Sequence, residues 1–281
     1  MCENDGFRPG ERLRVSRRDF GVLTGAAGVA MVFGPAAYAQ ALTGGDVEIT
    51  TPDGTVDAYF VHPASGKAPG VIMWPDIFGL RPAFRAMADR LAAEGYAVLV
   101  PNPFYRDVKG TVVGEDEDLS GAISRLMPYA RNVTPDAVVT DATAYVGWLD
   151  GQEAVDTGRK IGVVGFCMSG PYTIRAAAAL PDRVGAAASL HGAGVATEAP
   201  TSPHLLAPET KAVFLFAIAE NDDADDPQSK ERLKAAFGDR AEVEVYPANH
   251  GWVPTDSPRY DEAQAERAWS RLLALFKGAL S

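Results

Sequence analysis

Lys160-Ile-Gly-Val-Val-Gly165-Phe-Cys167-Met-Ser169-Gly-Pro-Tyr-Thr-Ile-Arg-Ala-Ala-Ala-Ala-Leu180 is the stretch that decides the fold of this chain. Ile161 to Val164 is an apolar β-type run, and a small-residue helical run follows the turn. A strand that turns sharply into a helix pushes the apical side chain out of the sheet, and the backbone there accepts only small neighbours. The apex is Cys167, a residue that is nucleophilic as its thiolate. Gly165 fills the first small position. The second is Ser169, which is small but carries a Cβ. Taken alone, the stretch also reads as a buried structural thiol, because free cysteine is among the most buried residue types. The rest of the chain weighs for chemistry.

At 281 residues, 47% hydrophobic and 22% charged, the chain has the size and composition of one large α/β domain. Its N-terminus is of another kind. Ser16-Arg17-Arg18-Asp19-Phe20 precedes an Ala- and Gly-rich apolar run from Gly21 to Phe33, and Ala37-Tyr38-Ala39 follows. A basic region, a short apolar region and an A-x-A pattern stand in the order of a secretory signal, and the paired arginines resemble the twin-arginine type. The apolar run is too short to anchor comfortably in a bilayer. Residues 1–39 are therefore read as a cleaved export signal and residues 40–281 as a single domain in the periplasm or outside the cell.

Without the five arginines and four acids of residues 1–39, 21 basic and 33 acidic residues remain, a net charge of −12. Such a surface repels nucleic acid and anionic lipid, so neither is an expected partner; a small molecule is, and the domain is expected to act as a monomer. Cys2 leaves with the signal and Cys167 remains alone. That excludes an intramolecular disulfide and a metal site built on cysteine pairs.

Segments of the mature chain alternate as a mostly parallel sheet flanked by helices requires. Val47–Thr50 and Val56–His62 read as an antiparallel pair around Pro52-Asp53-Gly54, and 70–74, 97–101, 186–190, 211–218 and 242–246 as further strands. Helices are predicted over 84–94, 136–149 (capped by Thr134, with Pro135 first), 228–237 and 261–280. The last puts Ala265, Ala268, Trp269, Leu272, Leu273 and Phe276 on one face, a core stripe. Lys109–Pro128 is acidic and carries no clear pattern.

A cysteine nucleophile needs a base, and the base a carboxylate to hold its tautomer. Three histidines follow Cys167. His250, in Tyr246-Pro-Ala-Asn-His250-Gly-Trp just past the last predicted strand, is best placed; His191 ends the strand after the elbow helix and reads as structural, and His204 lies in a Pro-rich loop and reads as exposed. Asp222 follows the strand 211–218 directly and is the preferred acid, with the adjacent Asp223 an open alternative. Asp225 and Asp226 read as solvated loop charges. An oxyanion hole needs two backbone N–H donors, one from the residue after the nucleophile, Met168, and one from an earlier βα loop, where Ile77 of Trp74-Pro75-Asp76-Ile77-Phe78-Gly79 fits.

The strand–turn–helix with Cys167 at its apex resembles the nucleophile elbow of α/β-hydrolases. With Asp76-Ile-Phe-Gly79, Tyr246-x-x-x-His250-Gly and an Asp-bearing loop between them, the pattern from Val47 to Leu280 resembles the dienelactone hydrolase family. The resemblance implies an α/β-hydrolase fold and ester or lactone hydrolysis by a Cys167–His250–Asp222 triad, through a thioacyl intermediate and without metal or organic cofactor. It implies that Asp76 stands where the family has a glutamate that contacts the resting thiol. It also implies that Arg106, in Pro101-Asn-Pro-Phe-Tyr-Arg106, falls on an arginine that binds the substrate carboxylate; an ordinary salt-bridged surface arginine is the other reading. A second such arginine, four residues after the histidine, is absent: position 254 is proline. Two other readings stand beside the hydrolase. One is a non-catalytic periplasmic binding protein on the same fold, and the other makes Ser169 the nucleophile.

Overall fold

The computed structural model describes residues 41–114 and 117–280; the expected export signal lies outside the described residues. In chain order the elements are β1 (Leu42–Thr51), β2 (Gly54–Pro63), β3 (Gly70–Trp74), α1 (Pro82–Ala93), β4 (Ala97–Pro101), α2 (Leu119–Asn132), α3 (Pro135–Asp150), β5 (Ile161–Phe166), α4 (Gly170–Ala179), β6 (Val184–Leu190), β7 (Val213–Ala219), α5 (Glu220–Asp225), α6 (Gln228–Phe237), β8 (Ala241–Tyr246) and α7 (Glu262–Ala279). The strands form one sheet in the order β1-β2-β4-β3-β5-β6-β7-β8. β1 and β2 form the antiparallel hairpin that the sequence predicts, β2 pairs antiparallel with β4, and the strands from β4 to β8 are parallel. This is the α/β-hydrolase architecture.

Alternation along the strands divides the apolar residues between two layers. Ile72 and Trp74 of β3, Val163 of β5 and Phe214 and Phe216 of β7 share one core with Val138, Tyr145, Ile174 and Leu233 of the helices α3, α4 and α6. Val71, Met73, Val164, Phe166, Leu215 and Ala217 point the other way, onto Phe84 and Leu91 of α1 and Trp269, Leu272 and Phe276 of α7. The final helix thus buries the predicted stripe, except that Leu273 stays half-buried. The helix starts follow side-chain chemistry. Thr134 Oγ1 accepts the Ala137 N–H ahead of Pro135, and Asp261 Oδ1 accepts the Gln264 N–H. Two segments read as irregular are helical: residues 119–132 form α2, and the acidic run after β7 forms the short α5.

Parallel strands end on one edge of the sheet, and ligand sites of open α/β sheets form there. The segments leaving β3, β5, β6, β7 and β8 carry Ile77, Cys167, His191, Asp222 and His250 respectively.

Candidate active site

The elbow is held by one close approach and one strained residue. A Cβ on Gly165 would lie 2.3 Å from the Ser169 carbonyl oxygen, so only glycine fits. Cys167 has φ +53°, the left-handed region, which costs a non-glycine residue roughly 1–2 kcal/mol. Its half-buried side chain stands at the head of a single 3₁₀ turn, Cys167–Ser169, that leads into α4. The Met168 N–H belongs to the first turn, where amides lack intrahelical acceptors.

Ser169 keeps φ at −91°, so its Cβ needs no special backbone there. Its hydroxyl is fully buried. The Oγ accepts the Phe166 N–H at 2.8 Å and donates to the Trp74 carbonyl at 2.8 Å, with the Phe166 carbonyl at 3.0 Å as a second acceptor. The hydroxyl is thus committed to backbone, whereas the thiol of Cys167 in the same turn is half-buried.

His250 Nδ1 lies 2.7 Å from Asp222 Oδ2, and the Cys167 thiol is near enough to the imidazole to act on its protonation. The neighbouring Asp223 instead pairs with Lys230 Nζ at 2.6 Å, so of the two candidate acids it is Asp222 that reaches the histidine. α5 fixes the loop as well: Asn221 Oδ1 accepts the His250 backbone N–H at 2.6 Å, and the Glu220 N–H donates to the Ala248 carbonyl at 3.0 Å. Burial works against the charged imidazole. The hydrogen bond to Asp222 and the nearby Cys167 thiol, with their charges, outweigh it and raise the His250 pKa from 6.5 to about 10.

His191 forms the wall behind this ring. It is fully buried at φ +42°, its centroid 5.2 Å from that of His250 and 5.1 Å from that of Trp252. Neither of its ring nitrogens has a hydrogen-bond partner among the described residues, and burial together with the charge of His250 holds its pKa well below 6.5. A neutral neighbour spares a protonated His250 from repulsion. His204, expected on the surface, is buried at 8% exposure, with Nδ1 2.8 Å from Ser202 Oγ. It takes no part in the site. Asp226 pairs with Arg232 at 2.7 Å while its side chain stays exposed to solvent.

Ile77 begins the turn after β3, and its N–H has no acceptor among the described residues. β3 lies beside β5, with Trp74 opposite Gly165, so this loop leaves the sheet next to the elbow. The two expected oxyanion donors therefore come from adjacent segments.

Asp76 and Arg106 are placed differently from the family-based expectation. Asp76 is a buried ion-pair partner: its Oδ1 accepts from Arg81 Nη1 at 2.7 Å and from the Phe78 N–H at 2.9 Å, and its Oδ2 from Arg81 Nη2 at 3.0 Å. Its carboxylate is thus oriented to Arg81 and its own loop, not to the thiol. Arg106 hydrogen-bonds Asp141 through Nη1 at 2.9 Å and Nη2 at 2.7 Å, and Asp53 through Nε at 3.1 Å and Nη2 at 2.7 Å. Asp141 is fully buried and also accepts from the Tyr105 hydroxyl at 2.7 Å. Arg106 is thus the salt-bridged arginine of the second reading, joining the β1–β2 turn to α3.

Arg81 and Asp256 were missed from sequence. Arg81 is 2% exposed and lies between Phe78 and Phe84, 5.4 Å and 4.9 Å from their ring centroids. It grips Asp76 on one side and Asp256 on the other, through Nε at 2.6 Å and Nη2 at 3.0 Å. These carboxylates outweigh burial and hold its pKa above the ordinary value. The hub ties the Ile77 loop to the loop that follows His250. The signal available was an arginine five residues from Asp76 in the same loop.

Residues 56–280 match the dienelactone hydrolase family. A relative from Methylorubrum extorquens, provisionally named a carboxymethylenebutenolidase, is 30% identical over 248 residues, covering 85% of this chain and 82% of its own. The carboxymethylenebutenolidase of Rhodococcus opacus is 26% identical over 237 residues, covering 81% and 89%. Among solved structures, one from Klebsiella pneumoniae, provisionally named a dienelactone hydrolase, matches with TM-score 0.72 and 26% identity, over 84% of this chain and 99% of that one.

Proposed function

The chain belongs to the dienelactone hydrolase family, and from that premise we propose that it hydrolyses an ester or lactone with Cys167 as nucleophile, His250 as base and Asp222 as orienting acid. The observation that carries the proposal is the imidazole of His250 held between the Asp222 carboxylate and the Cys167 thiol, with Cys167 at φ +53°. In the proposed sequence the Cys167 sulfur attacks the carbonyl carbon, and the oxyanion accepts hydrogen bonds from the Met168 and Ile77 N–H groups. The ester C–O bond breaks and His250 gives its proton to the leaving oxygen. Water then attacks the thioester, His250 takes the water's proton, and the acid departs as the C–S bond breaks. A thiolate also leaves readily from a tetrahedral centre, so activated esters and lactones suit this site better than amides.

Hydrolysis of a panel of short p-nitrophenyl esters by the intact chain and by Cys167→Ala tests the proposal. Turnover that disappears in a folded Cys167→Ala protein supports it. Undiminished turnover in that variant contradicts it and returns weight to a binding protein on a hydrolase fold. We further propose that residues 1–39 direct export. Mass spectrometry of the secreted protein should find a start near Gln40, and replacement of Arg17 and Arg18 by lysine should abolish secretion.

A further inference from the structure

A cavity of about 910 Å³ lies against the Arg81 hub, walled by Ala86, Val112 and Val113 together with Arg81, Glu117 and Asp256. Two of its walls follow the segments that carry the proposed machinery, Arg81 four residues after Ile77 and Asp256 six after His250; the others come from α1 and from the segment between β4 and α2. Among the described residues lining it, Arg81 is the sole cation, and that cation is spent. Its five N–H groups meet five acceptors: both oxygens of Asp76, both of Asp256 and the Gly79 carbonyl at 3.3 Å. Glu117 is paired with Arg125, which also donates to the Val112 carbonyl at 3.0 Å, so the cavity offers an entering anion the Asp256 carboxylate and no unpaired cation among its described lining residues. Arg106, the other arginine to which the family pattern points, is likewise shared between Asp53 and Asp141.

We infer that this site takes an uncharged ester whose apolar part occupies the cavity beside Arg81, and that it discriminates against esters bearing a carboxylate. The inference rests on the hydrolase reading above. A carboxylate entering here would shed water without gaining a free N–H fork, and would face Asp256; an unpaired charge in such a place is strongly disfavoured. An alkyl chain loses nothing and gains burial against Val112 and Val113.

Diethyl adipate and monoethyl adipate present the same ethyl ester with and without a carboxylate. Binding of each to the full chain carrying Cys167→Ala, followed by ligand NMR titration, should favour the diester by about tenfold or more. Asp256→Asn, which removes one carboxylate and loosens one edge of Arg81, should narrow that preference at least threefold by improving monoester binding. Equal or tighter binding of the monoester by the Cys167→Ala chain overturns the inference, as does failure of the diester to bind, or an Asp256→Asn variant that weakens both ligands alike. Turnover by the intact chain is read separately. A diester preference in a chain that turns over neither adipate nor any p-nitrophenyl ester of the panel would remove the hydrolase reading and leave the charge discrimination standing.

Discussion

The Ser169 hydroxyl donates a 2.8 Å hydrogen bond to the Trp74 carbonyl, so the turn that carries Cys167 is fastened to the strand that leads into the Ile77 loop. A glycine in this position would permit the turn but supply no such tie. Ser169→Ala leaves the buried Phe166 N–H without that partner and should cost about 1–3 kcal/mol by urea unfolding. Ester turnover in this variant should fall by no more than about tenfold, the effect of a small displacement of the oxyanion loop. A loss of a thousandfold or more at intact folding would instead put the nucleophile at Ser169.

Arg81 should carry more stability than its sequence position suggests. Arg81→Met strips two bidentate carboxylates of their partner and leaves Asp76 buried and uncompensated, a loss of about 3–5 kcal/mol. Adding Asp76→Leu to that variant should recover part of the loss, because the orphaned charge goes with it. Chemical denaturation of the single and double variants checks this. A double variant no more stable than Arg81→Met would show that loop geometry, not charge, is what Arg81 maintains.

The raised pKa of His250 fixes the sign of two pH effects. A group whose pKa rises on folding contributes fully below its unfolded value, here 6.5, and that contribution declines as pH climbs towards about 10. The stability difference between the intact chain and His250→Gln should therefore be largest below pH 6.5 and fade towards pH 10, as followed by thermal unfolding. Alkyl esters need a proton for the departing alkoxide, so their kcat/KM should hold through neutrality and fall near pH 10. An alkaline limb near pH 7 would contradict the ion-paired environment of this imidazole.

Arg106 should behave as a structural residue. Arg106→Gln leaves the fully buried Asp141 without its cation and should lower stability by about 3 kcal/mol or more. KM for an uncharged ester should change less than threefold. A tenfold rise in KM for a carboxylate ester at unaltered stability would restore the anion-clamp role.

Most of the frame was legible because its signals are local. Gly165 and the apolar run before it mark the elbow, Thr134-Pro135 marks the start of α3, and a histidine just past the last strand marks His250. Where the reading failed, the deciding partner lay far away in sequence. The roles of Arg106 and Asp76 depend on Asp141 and on an arginine that also holds Asp256, 175 residues from it. Nothing in the Pro-rich loop around His204 announces that Ser202 will accept it into a buried turn. The choice between Asp222 and Asp223 turns on α5, whose helical geometry directs one carboxylate to His250 and the next to Lys230. Local patterns carried the elements and the chain order of Cys167, Asp222 and His250; the tertiary pairing of charges did not project onto them.

The central claim is a covalent acyl intermediate on one sulfur. Rapid acid quench of the intact chain with a p-nitrophenyl ester, followed by peptide mass spectrometry, should find the acyl mass on the peptide bearing Cys167, with more of it in His250→Gln, where deacylation lacks its base. Acyl label on any other residue, or turnover persisting in Cys167→Ala, would contradict the account.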